Sequence, residues 1–516
     1  MSVVRKLSSF SLRNSSEYIS NIFLSNKYVF KGKEEIVYKG GNKQTFLLNS
    51  VFKDVNSLGI IGWGPQAKAQ ACNLQDTFNL RNIDTKITIG LRNESKSIEK
   101  AKQAGFSTNT IENVSKESDL LLFLVSDSAQ ATMYKSVLSN MKKGATLGLS
   151  HGFLLGHMKN NNDYFPKDIN VIAMCPKGMG DSVRDLYLSN CGNSINSSIC
   201  VEQVSPHNEY KYSLDLSDHS NIKRPIDLAL GWAIGIGSPY IFTTSLQDEW
   251  ISDLVGERAI LLGGLFGIMQ SIEILALQNN FPMEKMYNLT ANYITGTISK
   301  KISKDGLLSV YNEMFQNNDI NLKNDFRLAY CLSYETSKLL IEEIYQEVKS
   351  GNEIRSVVNT GKNNKNLVKS LSGNSLFWQA NNLKNSNKCD KNDLINCTYT
   401  AKAVGMYIGS MMAQIDVLIE NNHNYSEIVN ESIIEAVDSL NPYMYKKGID
   451  WMVDNCSVTA RIGTRKWGPR FYSLYSNYVI NNKMHTVPGE DHILFKKFIK
   501  HPIHNIFDMM RNINKN

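Results

Sequence analysis

Two kinds of hydrophobic periodicity divide this chain, and this division constrains its fold more than any other feature. Up to about residue 225, short apolar runs alternate with helix-like segments. Such alternation predicts right-handed crossovers and a parallel, doubly wound α/β sheet. Beyond that point apolar residues recur with the 3.6-residue period of helices, which predicts an all-helical C-terminal half. The predicted strands are 57–64, 86–91, 119–125, 145–149 and 170–174, and the predicted helices of the first half are 66–80, 97–104 and 129–140.

The first predicted strand ends in glycines and leads directly into a helix. Gly62-Trp-Gly64-Pro-Gln-Ala67 therefore has the context of a dinucleotide-binding fingerprint. Gly62 permits the tight turn, Gly64 lets the backbone approach a pyrophosphate, and the third position tolerates alanine. The N-terminus of the helix then favours the anion. The segment predicts a nucleotide site in a Rossmann-type domain.

The end of the second predicted strand distinguishes between nicotinamide cofactors. NAD-specific folds place an acidic residue here for the ribose hydroxyl, whereas this chain has Arg92, Ser95 and Ser97. A guanidinium group and two hydroxyls suit a 2′-phosphate. Glu94, an acidic residue in the same segment, is the one residue that does not fit a phosphate site. The predicted cofactor is NADPH.

Two acidic pairs lie in strongly apolar segments of the helical half. Asp253/Glu257 and Glu431/Glu435 are each spaced i, i+4, which places both carboxylates on one helix face. Like charges repel there, and apolar surroundings make an unpaired carboxylate costly. A hard divalent cation such as Mg²⁺ removes both problems, and four converging carboxylates suit a two-metal site. The alternative is that each pair is the solvated stripe of an amphipathic helix.

The helical half contains an apparent internal repeat. Residues 272–279 match residues 415–422 at an offset of 143, and the same offset pairs Glu284 with Glu427. Under this alignment Glu431 and Glu435 correspond to Asn288 and Asn292. Each copy would then carry a different acidic pair, as expected if two repeats pack face to face around one site. Chance similarity between two amphipathic helices is the alternative.

The predicted organisation has five segments: a leader at 1–27, a nucleotide-binding domain at 28–225, a first helical repeat at 226–360, an Asn/Lys-rich loop at 361–397 and a second helical repeat at 398–516. The leader contains seven serines before residue 21, four basic residues and one acid, Glu17. This composition is typical of an organelle transit peptide, and a disordered bacterial N-terminus is the alternative. Residues 205–225 form a second predicted loop.

Composition excludes several classes of protein. The net charge of +7 is thinly spread, which argues against a nucleic-acid-binding surface. No run of 18 apolar residues is present, which argues against a membrane span. The eight cysteines form no Cys-x-x-Cys pattern, so free thiols in a reducing compartment are expected.

Five further segments carry a specific family resemblance. They are Leu149-Ser-His-Gly-Phe, Cys175-Pro-Lys-Gly-Met-Gly, Asp253-Leu-Val-Gly-Glu-Arg, Asn430-Glu-Ser-Ile-Ile-Glu-Ala-Val-Asp-Ser and Asp454-Asn-Cys-Ser-Val-Thr-Ala-Arg. In this order they closely resemble ketol-acid reductoisomerase in its long, plant-type (class II) form, over roughly residues 34–515. The resemblance implies a Rossmann domain followed by a duplicated, knotted all-helical domain. It also implies Mg²⁺-dependent alkyl migration in 2-acetolactate or 2-aceto-2-hydroxybutyrate, then reduction by NADPH to a 2,3-dihydroxy acid of valine and isoleucine synthesis.

The resemblance also implies roles for individual residues. Asp253 and Glu257 would hold two Mg²⁺ ions together with Glu431 and Glu435, and Ser457 would bind the substrate. The catalytic candidates are His151, Lys177 and Glu257, with Lys177 near the metals. The implied cofactor-site residues are Gly62, Gly64, Gln66, Arg92, Ser95, Ser97, Ser126, Asp127, Gln130 and Gly180.

Two residues depart from the family pattern, and two other functions remain as alternatives. Pro65 removes a backbone donor from the phosphate loop, and Ala67 replaces a glycine typical of the plant form. An NADPH-dependent hydroxy-acid dehydrogenase without the isomerase step would share the plan but would not need the acidic pairs. An NADPH-sensing homologue with a decayed site is the non-enzymatic alternative. The resemblance further implies a homodimer and a plastid location, with the mitochondrion as the second choice.

Overall fold

The chain divides into two compact units. The computed structural model describes residues 19–206, 220–314, 319–361, 376–380, 397–480 and 488–515. The first unit is Met1–Trp250 with Ile513–Asn516, and the second is Ile251–Asn512. The division falls later than the predicted limit near residue 225, because the sheet of the first unit takes up a strand beyond that point.

The first unit is built on one mixed sheet. Its strands are β1 (Ser25–Phe30), β2 (Lys33–Lys39), β3 (Ser57–Ile61), β4 (Lys86–Leu91), β5 (Ser107–Thr110), β6 (Leu120–Phe123), β7 (Thr146–Leu149), β8 (Asn170–Pro176), β9 (Ser197–Gln203) and β10 (Tyr240–Thr243). Its helices are α1 (Leu48–Phe52), α2 (Pro65–Arg81), α3 (Ser97–Gln103), α4 (Ile111–Glu117), α5 (Asp127–Asn140), α6 (Phe153–Asn160), α7 (Gly180–Ser189) and α8 (Ser220–Gly235), with a 3₁₀ helix at Asn42–Leu47.

Six strands form the parallel, doubly wound sheet that the sequence predicts. The order across the whole sheet is β1-β2-β10-β9-β8-β7-β6-β3-β4-β5. The strands from β8 to β5 are mutually parallel, and their order is that of a dinucleotide-binding fold, with the switch point between β3 and β6. The prediction is confirmed for β3, β4, β6, β7 and β8, whereas β5 is a strand that the sequence analysis did not predict. The extension through β9, β10, β2 and β1 is mixed in direction and was not predicted.

Both faces of the parallel sheet are buried, which explains its continuous apolar runs. Along β6, Leu120 and Leu122 pack into one core, and Leu121 and Phe123 pack into the other. Helices α2 and α8 contribute to the first core, whereas α4, α5 and α6 contribute to the second. The sheet therefore holds the carboxyl ends of β3, β4 and β6 in fixed register.

The second unit is helical throughout its described residues. After α9 (Leu246–Arg258), which crosses the division between the units, come α10 (Gly263–Gln278), α11 (Met283–Tyr287), the π-helix π1 (Asn288–Ile298), α12 (Ser299–Asp305), α13 (Leu307–Met314), α14 (Ile320–Lys349), α15 (Asn352–Gly361) and α16 (Leu376–Gln379). The second half contains α17 (Thr398–Glu420), α18 (Tyr425–Val429), the π-helix π2 (Asn430–Leu440), α19 (Asn441–Lys447), α20 (Ile449–Asn455), α21 (Val458–Leu474), the π-helix π3 (Tyr475–Ile480), α22 (Ile493–Ile499) and α23 (Ile503–Lys515).

The helical unit is duplicated, but the offset between its copies is 142 residues and not the predicted 143. The segment from α11 to α13 repeats as α18 to α20, element by element. Gly306 and Gly448, both with positive φ, end equivalent helices. Asn441 Nδ2 donates to Ser299 Oγ at 2.7 Å, and these two residues are separated by the same 142 positions. Contact between equivalent residues is the signature of a two-fold axis.

The corrected offset changes the expected pairing of the acidic residues. Glu431 and Glu435 correspond to Leu289 and Tyr293, so the predicted correspondence with Asn288 and Asn292 is wrong. The first copy has apolar and aromatic side chains where the second has carboxylates. At these two positions the copies therefore differ more in polarity than the 143-residue offset suggested.

The two copies are interleaved. Helix α10 of the first copy packs on α21 of the second, and α17 of the second packs on α14 of the first. Glycines permit the close approach, since a Cβ on Gly267 would lie 2.5 Å from Phe471 Cβ and one on Gly409 would lie 2.5 Å from the Tyr330 carbonyl oxygen. The first copy therefore needs the second copy to bury α10, and the second copy needs the first to bury α17.

Two apolar segments meet the length and composition of a membrane span, although no long uninterrupted apolar run was found in the sequence. They are Leu246–Gln278 and Thr398–Glu420, and 72% and 89% of their apolar windows are buried inside the protein. Core helices of globular proteins pass the same test. The seven cysteines that the structure describes are free thiols, in agreement with the sequence-based expectation.

The predicted loops and leader lie partly outside the described residues, at 1–18, 207–219, 362–375 and 381–396. Within the described part, β1 begins inside the predicted leader, and α8 begins inside the predicted loop 205–225. The loop at 361–397 contains the helical turn α16, whose Trp378 ring stacks on Phe266 with centroids 4.8 Å apart.

A buried aspartate joins three helices of the second unit, and it makes stability there depend on pH. Asp416 is 4% exposed and accepts hydrogen bonds from Tyr334, from Lys497 Nζ at 2.7 Å and from His501 Nε2 at 3.0 Å. Burial alone would raise the pKa of Asp416, but the His501, Lys497 and Tyr334 contacts hold it well below its usual value.

We expect Asp416→Asn to cost on the order of 3 kcal/mol at pH 7. Because the folded pKa is depressed, the carboxylate stabilises the protein above the unfolded-state pKa of about 3.9, and this contribution is lost as the pH falls through the folded pKa. The difference between wild type and variant should therefore shrink when urea unfolding is repeated below pH 4. Glu420→Gln, which breaks the exposed pair with Lys338, should cost less than about 1 kcal/mol. A difference between wild type and Asp416→Asn that does not change with pH would contradict this assignment.

Candidate functional site

Three carboxylates meet inside the second unit. Asp253 on α9 and Glu431 and Glu435 on π2 each offer an oxygen, and these oxygens lie within 4.8 Å of one another. Glu431 is fully buried and Glu435 is 9% exposed. Three negative charges so close together in a buried place repel strongly. The donor set is oxygen only, which fits a hard cation such as Mg²⁺.

A π-helix carries two of these carboxylates. In the i→i+5 geometry of π2, residues four apart stay close to one face, so Glu431 and Glu435 project together. The equivalent segment of the first copy, π1, has the same length and also begins at an asparagine. π-helical segments are rare and occur frequently at functional sites. Asn430 ties the start of π2 to the preceding helix by donating to the Ser426 carbonyl oxygen at 2.7 Å.

A buried amide connects the two elements that carry the cluster. Gln414 accepts a hydrogen bond from Ile260 N at 3.1 Å, just beyond the end of α9. Its Nε2 donates to Ser432 Oγ at 2.9 Å, on π2. The end of α9 and π2, the two elements that carry the carboxylates, are thus both bonded to the Gln414 side chain. The sequence analysis did not identify this residue.

Glu257, the second member of the first acidic pair, lies on α9 one turn beyond Asp253 but outside the group of three just described. Its Oε2 accepts a hydrogen bond from Arg258 NH1 at 3.3 Å. Three of the four predicted metal ligands are therefore brought together, and the role of all four as ligands stays a prediction.

Ser457, the predicted substrate ligand, is the N-cap of α21. Its hydroxyl oxygen accepts a hydrogen bond from Ala460 N at 2.9 Å, and its side chain is exposed. The capping bond uses a lone pair and leaves the hydroxyl hydrogen able to rotate. The substrate-binding role is an untested prediction.

Within the first unit, a buried ion-pair cluster joins two of the predicted catalytic residues. Glu249 Oε1 lies 3.3 Å from Lys177 Nζ, and Glu249 Oε2 lies 3.3 Å from His151 Nδ1. The Gly152 amide also donates to Oε2 at 2.6 Å. Lys177 is 1% exposed and Glu249 is 2% exposed. Burial would raise the pKa of Glu249, but the Lys177 charge and the His151 ring hold it well below its usual range.

Sequence reasoning missed Glu249, although a signal was present. Glu249, Asp253 and Glu257 follow one another at i, i+4 spacing along α9, so the acidic pair is part of a row of three. His151 follows β7 and Lys177 follows β8, which places both at the carboxyl ends of neighbouring parallel strands. Ligands bind at this edge in doubly wound sheets.

The glycines after β3 have the geometry that a phosphate loop needs. Gly62 has φ 110°, and a Cβ there would lie 2.6 Å from the Leu124 carbonyl oxygen. A Cβ on Gly64 would meet nothing within 4 Å, so its backbone surface is open to a ligand. Gly180 packs against this loop, since a Cβ there would lie 2.3 Å from the Pro65 carbonyl carbon. Only glycine fits at Gly62 and Gly180 without movement of the loop.

Pro65 occupies the first turn of α2, immediately after the N-cap Gly64. Proline is favoured there because the first amides of a helix have no intrahelical acceptor. The donor that Pro65 removes is thus one that helix formation does not use. The side chain of Gln66 donates to the Gly178 carbonyl oxygen at 2.7 Å, and Gln70 donates to Gln66 Oε1 at 3.1 Å.

The remaining predicted cofactor residues follow β4 and β6. Arg92 is exposed directly after β4, and Ser95 Oγ accepts from Ser97 N at 3.2 Å in the turn that starts α3. Ser126 is the N-cap of α5, and Asp127 is its first residue. Gln130 is buried and donates to the Phe123 carbonyl oxygen at 2.8 Å, so it also anchors the end of β6. The residues after β6 border the switch point between β3 and β6, and those after β4 follow the strand next to β3.

Comparison with known proteins gives matches along nearly the whole chain. The family model described as acetohydroxy acid isomeroreductase, NADPH-binding domain, matches residues 53–238, and that described as ketol-acid reductoisomerase, C-terminal domain, matches residues 246–383. The chloroplastic ketol-acid reductoisomerase of Spinacia oleracea is 41% identical over 514 residues, covering 95% of this chain and 80% of that protein. The chloroplastic enzyme of Pisum sativum is 39% identical over 505 residues, covering 95% and 83% respectively.

A solved structure is also similar in fold. The NADH-preferring ketol-acid reductoisomerase from an uncultured archean has a TM-score of 0.51 and 20% sequence identity. The match covers 72% of this chain and 98% of that chain. At this level of identity the likeness shows the fold alone.

Proposed function

Because the chain belongs to the ketol-acid reductoisomerase family, it is an NADPH-dependent oxidoreductase with isomerase activity, and we propose that Asp253, Glu431 and Glu435, with Glu257, hold the Mg²⁺ ions of that reaction. The observation that carries this proposal is the group of three carboxylate oxygens within 4.8 Å of one another, of which those of Glu431 and Glu435 belong to buried residues. No positive side chain is needed in such a group if a divalent cation neutralises it.

The proposed chemistry has an alkyl migration followed by a hydride transfer. Migration between adjacent carbons of 2-acetolactate or 2-aceto-2-hydroxybutyrate develops charge on two neighbouring oxygens, and Mg²⁺ held by the carboxylates would supply the compensating positive charge. The carboxylates would hold the ions, and Ser457 would orient the substrate through its hydroxyl hydrogen. Glu257, beside the proposed ions, could accept and return a proton. NADPH supplies the hydride for the second step.

The roles of His151 and Lys177 follow from their shared carboxylate. Glu249 fixes the His151 ring through Nδ1, which leaves Nε2 as the nitrogen that can exchange a proton with a substrate oxygen. The same carboxylate lies 3.3 Å from Lys177 Nζ and gives this buried side chain a counter-charge. We assign proton handling to His151 and electrostatic stabilisation of a substrate oxygen to Lys177.

NADPH oxidation in the presence of 2-acetolactate, with and without Mg²⁺, tests this function most directly. We expect turnover with Mg²⁺ and none in excess EDTA. A hydroxy-acid dehydrogenase would instead reduce a simple 2-keto acid without a divalent ion. Turnover of 2-acetolactate in EDTA would overturn the metal assignment.

The cofactor preference can be tested at Arg92. Removing a guanidinium that contacts a 2′-phosphate costs on the order of 1.5–3 kcal/mol, so Arg92→Ala should lower kcat/KM for NADPH by roughly 10- to 100-fold. The value for NADH should change little. Lys100→Ala, which removes an exposed positive charge within α3, is a matched control for loss of positive charge. An unchanged ratio of kcat/KM for the two cofactors in Arg92→Ala would contradict the phosphate assignment.

We propose a plastid location and a homodimer for this enzyme. Two relatives named as chloroplastic support the location. Residues 1–18, which carry most of the predicted leader, lie outside the described residues. Import of residues 1–27 fused to a fluorescent reporter would test the first proposal, and light scattering of the purified protein would test the second.

A further inference from the structure

Arg258, next to the proposed ligand Glu257, is completely buried in the second unit. Its Nε donates to Glu353 Oε2 at 2.6 Å, and its NH1 donates to the Leu254 carbonyl oxygen at 3.2 Å. The same NH1 lies 3.3 Å from Glu257 Oε2. Arg258 therefore stands between two carboxylates and makes a much shorter contact with one of them.

Glu353, on α15, is also completely buried and is held by cations and donors on two sides. Besides Arg258, it accepts from Lys466 Nζ at 2.5 Å and from Trp467 Nε1 at 3.2 Å, both on α21. Burial would raise the pKa of Glu353, but Arg258 and Lys466 lower it, so the carboxylate is charged. A buried guanidinium requires such a partner.

A glycine determines where the guanidinium of Arg258 lies. A Cβ on Gly463 would be 2.9 Å from Arg258 Cγ and 3.0 Å from Arg258 Cζ, so any other residue would displace the arginine. The side chain is thus confined against α21, in a direction that favours the bond to Glu353. An arginine this constrained has few alternative partners.

We propose that Glu353 is a positioning residue that draws Arg258 away from Glu257 and so keeps the Glu257 carboxylate available for Mg²⁺. The difference between 2.6 Å and 3.3 Å supports this, because a charge-assisted hydrogen bond weakens steeply with distance. Without Glu353, the buried guanidinium would need a new counter-charge, and Glu257 is already in contact with it. An Arg258–Glu257 pair would compete directly with the cation. The inference rests on the proposed metal role of Glu257.

The test is Mg²⁺ binding to the full-length protein without substrate, measured by calorimetry. Glu353→Gln should weaken Mg²⁺ binding by about 10- to 100-fold, the effect of losing a residue that orients a metal ligand. The affinity for NADPH should be unchanged. In turnover, the Mg²⁺ concentration for half-maximal rate should rise while kcat at saturating Mg²⁺ stays within a few fold. If the role of Glu353 were purely structural, Glu353→Gln would lower stability but would not raise the required Mg²⁺ concentration while leaving kcat nearly unchanged.

Two control variants distinguish competition from simple destabilisation. Lys466→Met removes the other cation of Glu353 but leaves the Arg258–Glu353 pair, so Mg²⁺ affinity should change less than about twofold. In the double variant Glu353→Gln/Arg258→Met the competing guanidinium is gone, so Mg²⁺ affinity should recover. Equal Mg²⁺ affinity in Glu353→Gln and wild type overturns the proposal, as does failure of the double variant to recover.

Two further variants cover the remaining outcomes. If Glu353→Gln does not fold, Glu353→Asp retracts the charge by one methylene and should show the same loss of affinity to a smaller degree; an unchanged affinity would overturn the proposal. Asp253→Asn reports separately on the proposed function. If Asp253→Asn binds Mg²⁺ as wild type does, the metal site itself is wrong, whereas loss in Asp253→Asn with none in Glu353→Gln overturns only the positioning role.

Discussion

Asp253→Asn is expected to abolish turnover of 2-acetolactate and, at the same time, to make the Mg²⁺-free protein more stable. The amide keeps the shape of the side chain but is a poor ligand, so we expect a loss on the order of 10³-fold in kcat. NADPH binding should persist, because the nucleotide motif lies on a different unit. Without a cation, however, the substitution removes one of three mutually repelling charges, two of them buried.

Because activity should fall while the stability of the Mg²⁺-free protein rises, general damage to the fold cannot produce both results. Thermal unfolding in EDTA should give a higher Tm for Asp253→Asn than for wild type. Added Mg²⁺ should raise the Tm of wild type by mass action and leave the variant unchanged. The exposed acid Glu420 gives the matched control, since Glu420→Gln should alter neither turnover nor the Mg²⁺ response. If Asp253→Asn is less stable than wild type in EDTA, the carboxylates do not repel one another, and the cluster is not a cation site.

Glu249→Gln should destabilise the first unit by about 3–5 kcal/mol, since it leaves the buried Lys177 ammonium without the carboxylate that faces it. It should also lower activity, because the amide has one acceptor oxygen in place of the two that face Lys177 and the His151 ring. The expected sign is firm because the Glu249 carboxylate stays charged, with a pKa held well below its usual range by Lys177 and His151 against the effect of burial. Urea unfolding followed by the fluorescence of Trp232 and Trp250 measures the change.

A double-mutant cycle shows whether the pair itself carries this energy. In Glu249→Gln/Lys177→Met both charges are gone, and removal of both partners of a buried pair is often nearly neutral. The double variant should therefore be more stable than Glu249→Gln, with a coupling energy of about 1–3 kcal/mol. Its activity should stay below that of wild type, since His151 is still without its carboxylate. Additive losses would mean that Lys177 and Glu249 do not interact.

The strands that periodicity predicts correctly are those buried on both faces. Continuous apolar runs at β3, β6 and β8 leave little choice of structure once helices separate them. Strand β10 was assigned to the helical half because its four buried residues are too few to show a period. Strands β1 and β2 form an antiparallel pair that joins the sheet through β10, a contact that no local pattern encodes.

The repeat offset illustrates a different limit. Identities such as Glu284 with Glu427 supported 143, but identity between helical residues is weak information. Backbone constraints were more reliable, because Asn280 and Asn422 both adopt positive φ at the ends of equivalent helices, as do Gly306 and Gly448. In the sequence, the two asparagines are 142 residues apart, and so are the two glycines. Residues that demand a special conformation align repeats better than residues that merely suit a helix.

For the site, the sequence predicted which carboxylates would meet but not what holds them. Asp253, Glu257, Glu431 and Glu435 all followed from charge in apolar segments, and the structure brings three of them together. The family resemblance, which the comparisons confirm, added Ser457. The supporting residues Gln414 and Glu353 lie 154 and 95 positions from the residues that they bond at the end of α9. No spacing rule connects them to the acids. Only the packed structure reveals them.

The interleaving of the two helical copies also has a consequence during synthesis. Helix α10 is complete at Gln278, but its partner α21 begins only at Val458. At a ribosomal rate of about 5–20 residues per second, the apolar face of α10 waits roughly 10–40 s for its partner to be made. The unit therefore cannot mature from its N-terminal end, and its long-range pairing makes folding slow. A nascent chain of this enzyme has to be shielded from aggregation until nearly its last helix has left the ribosome.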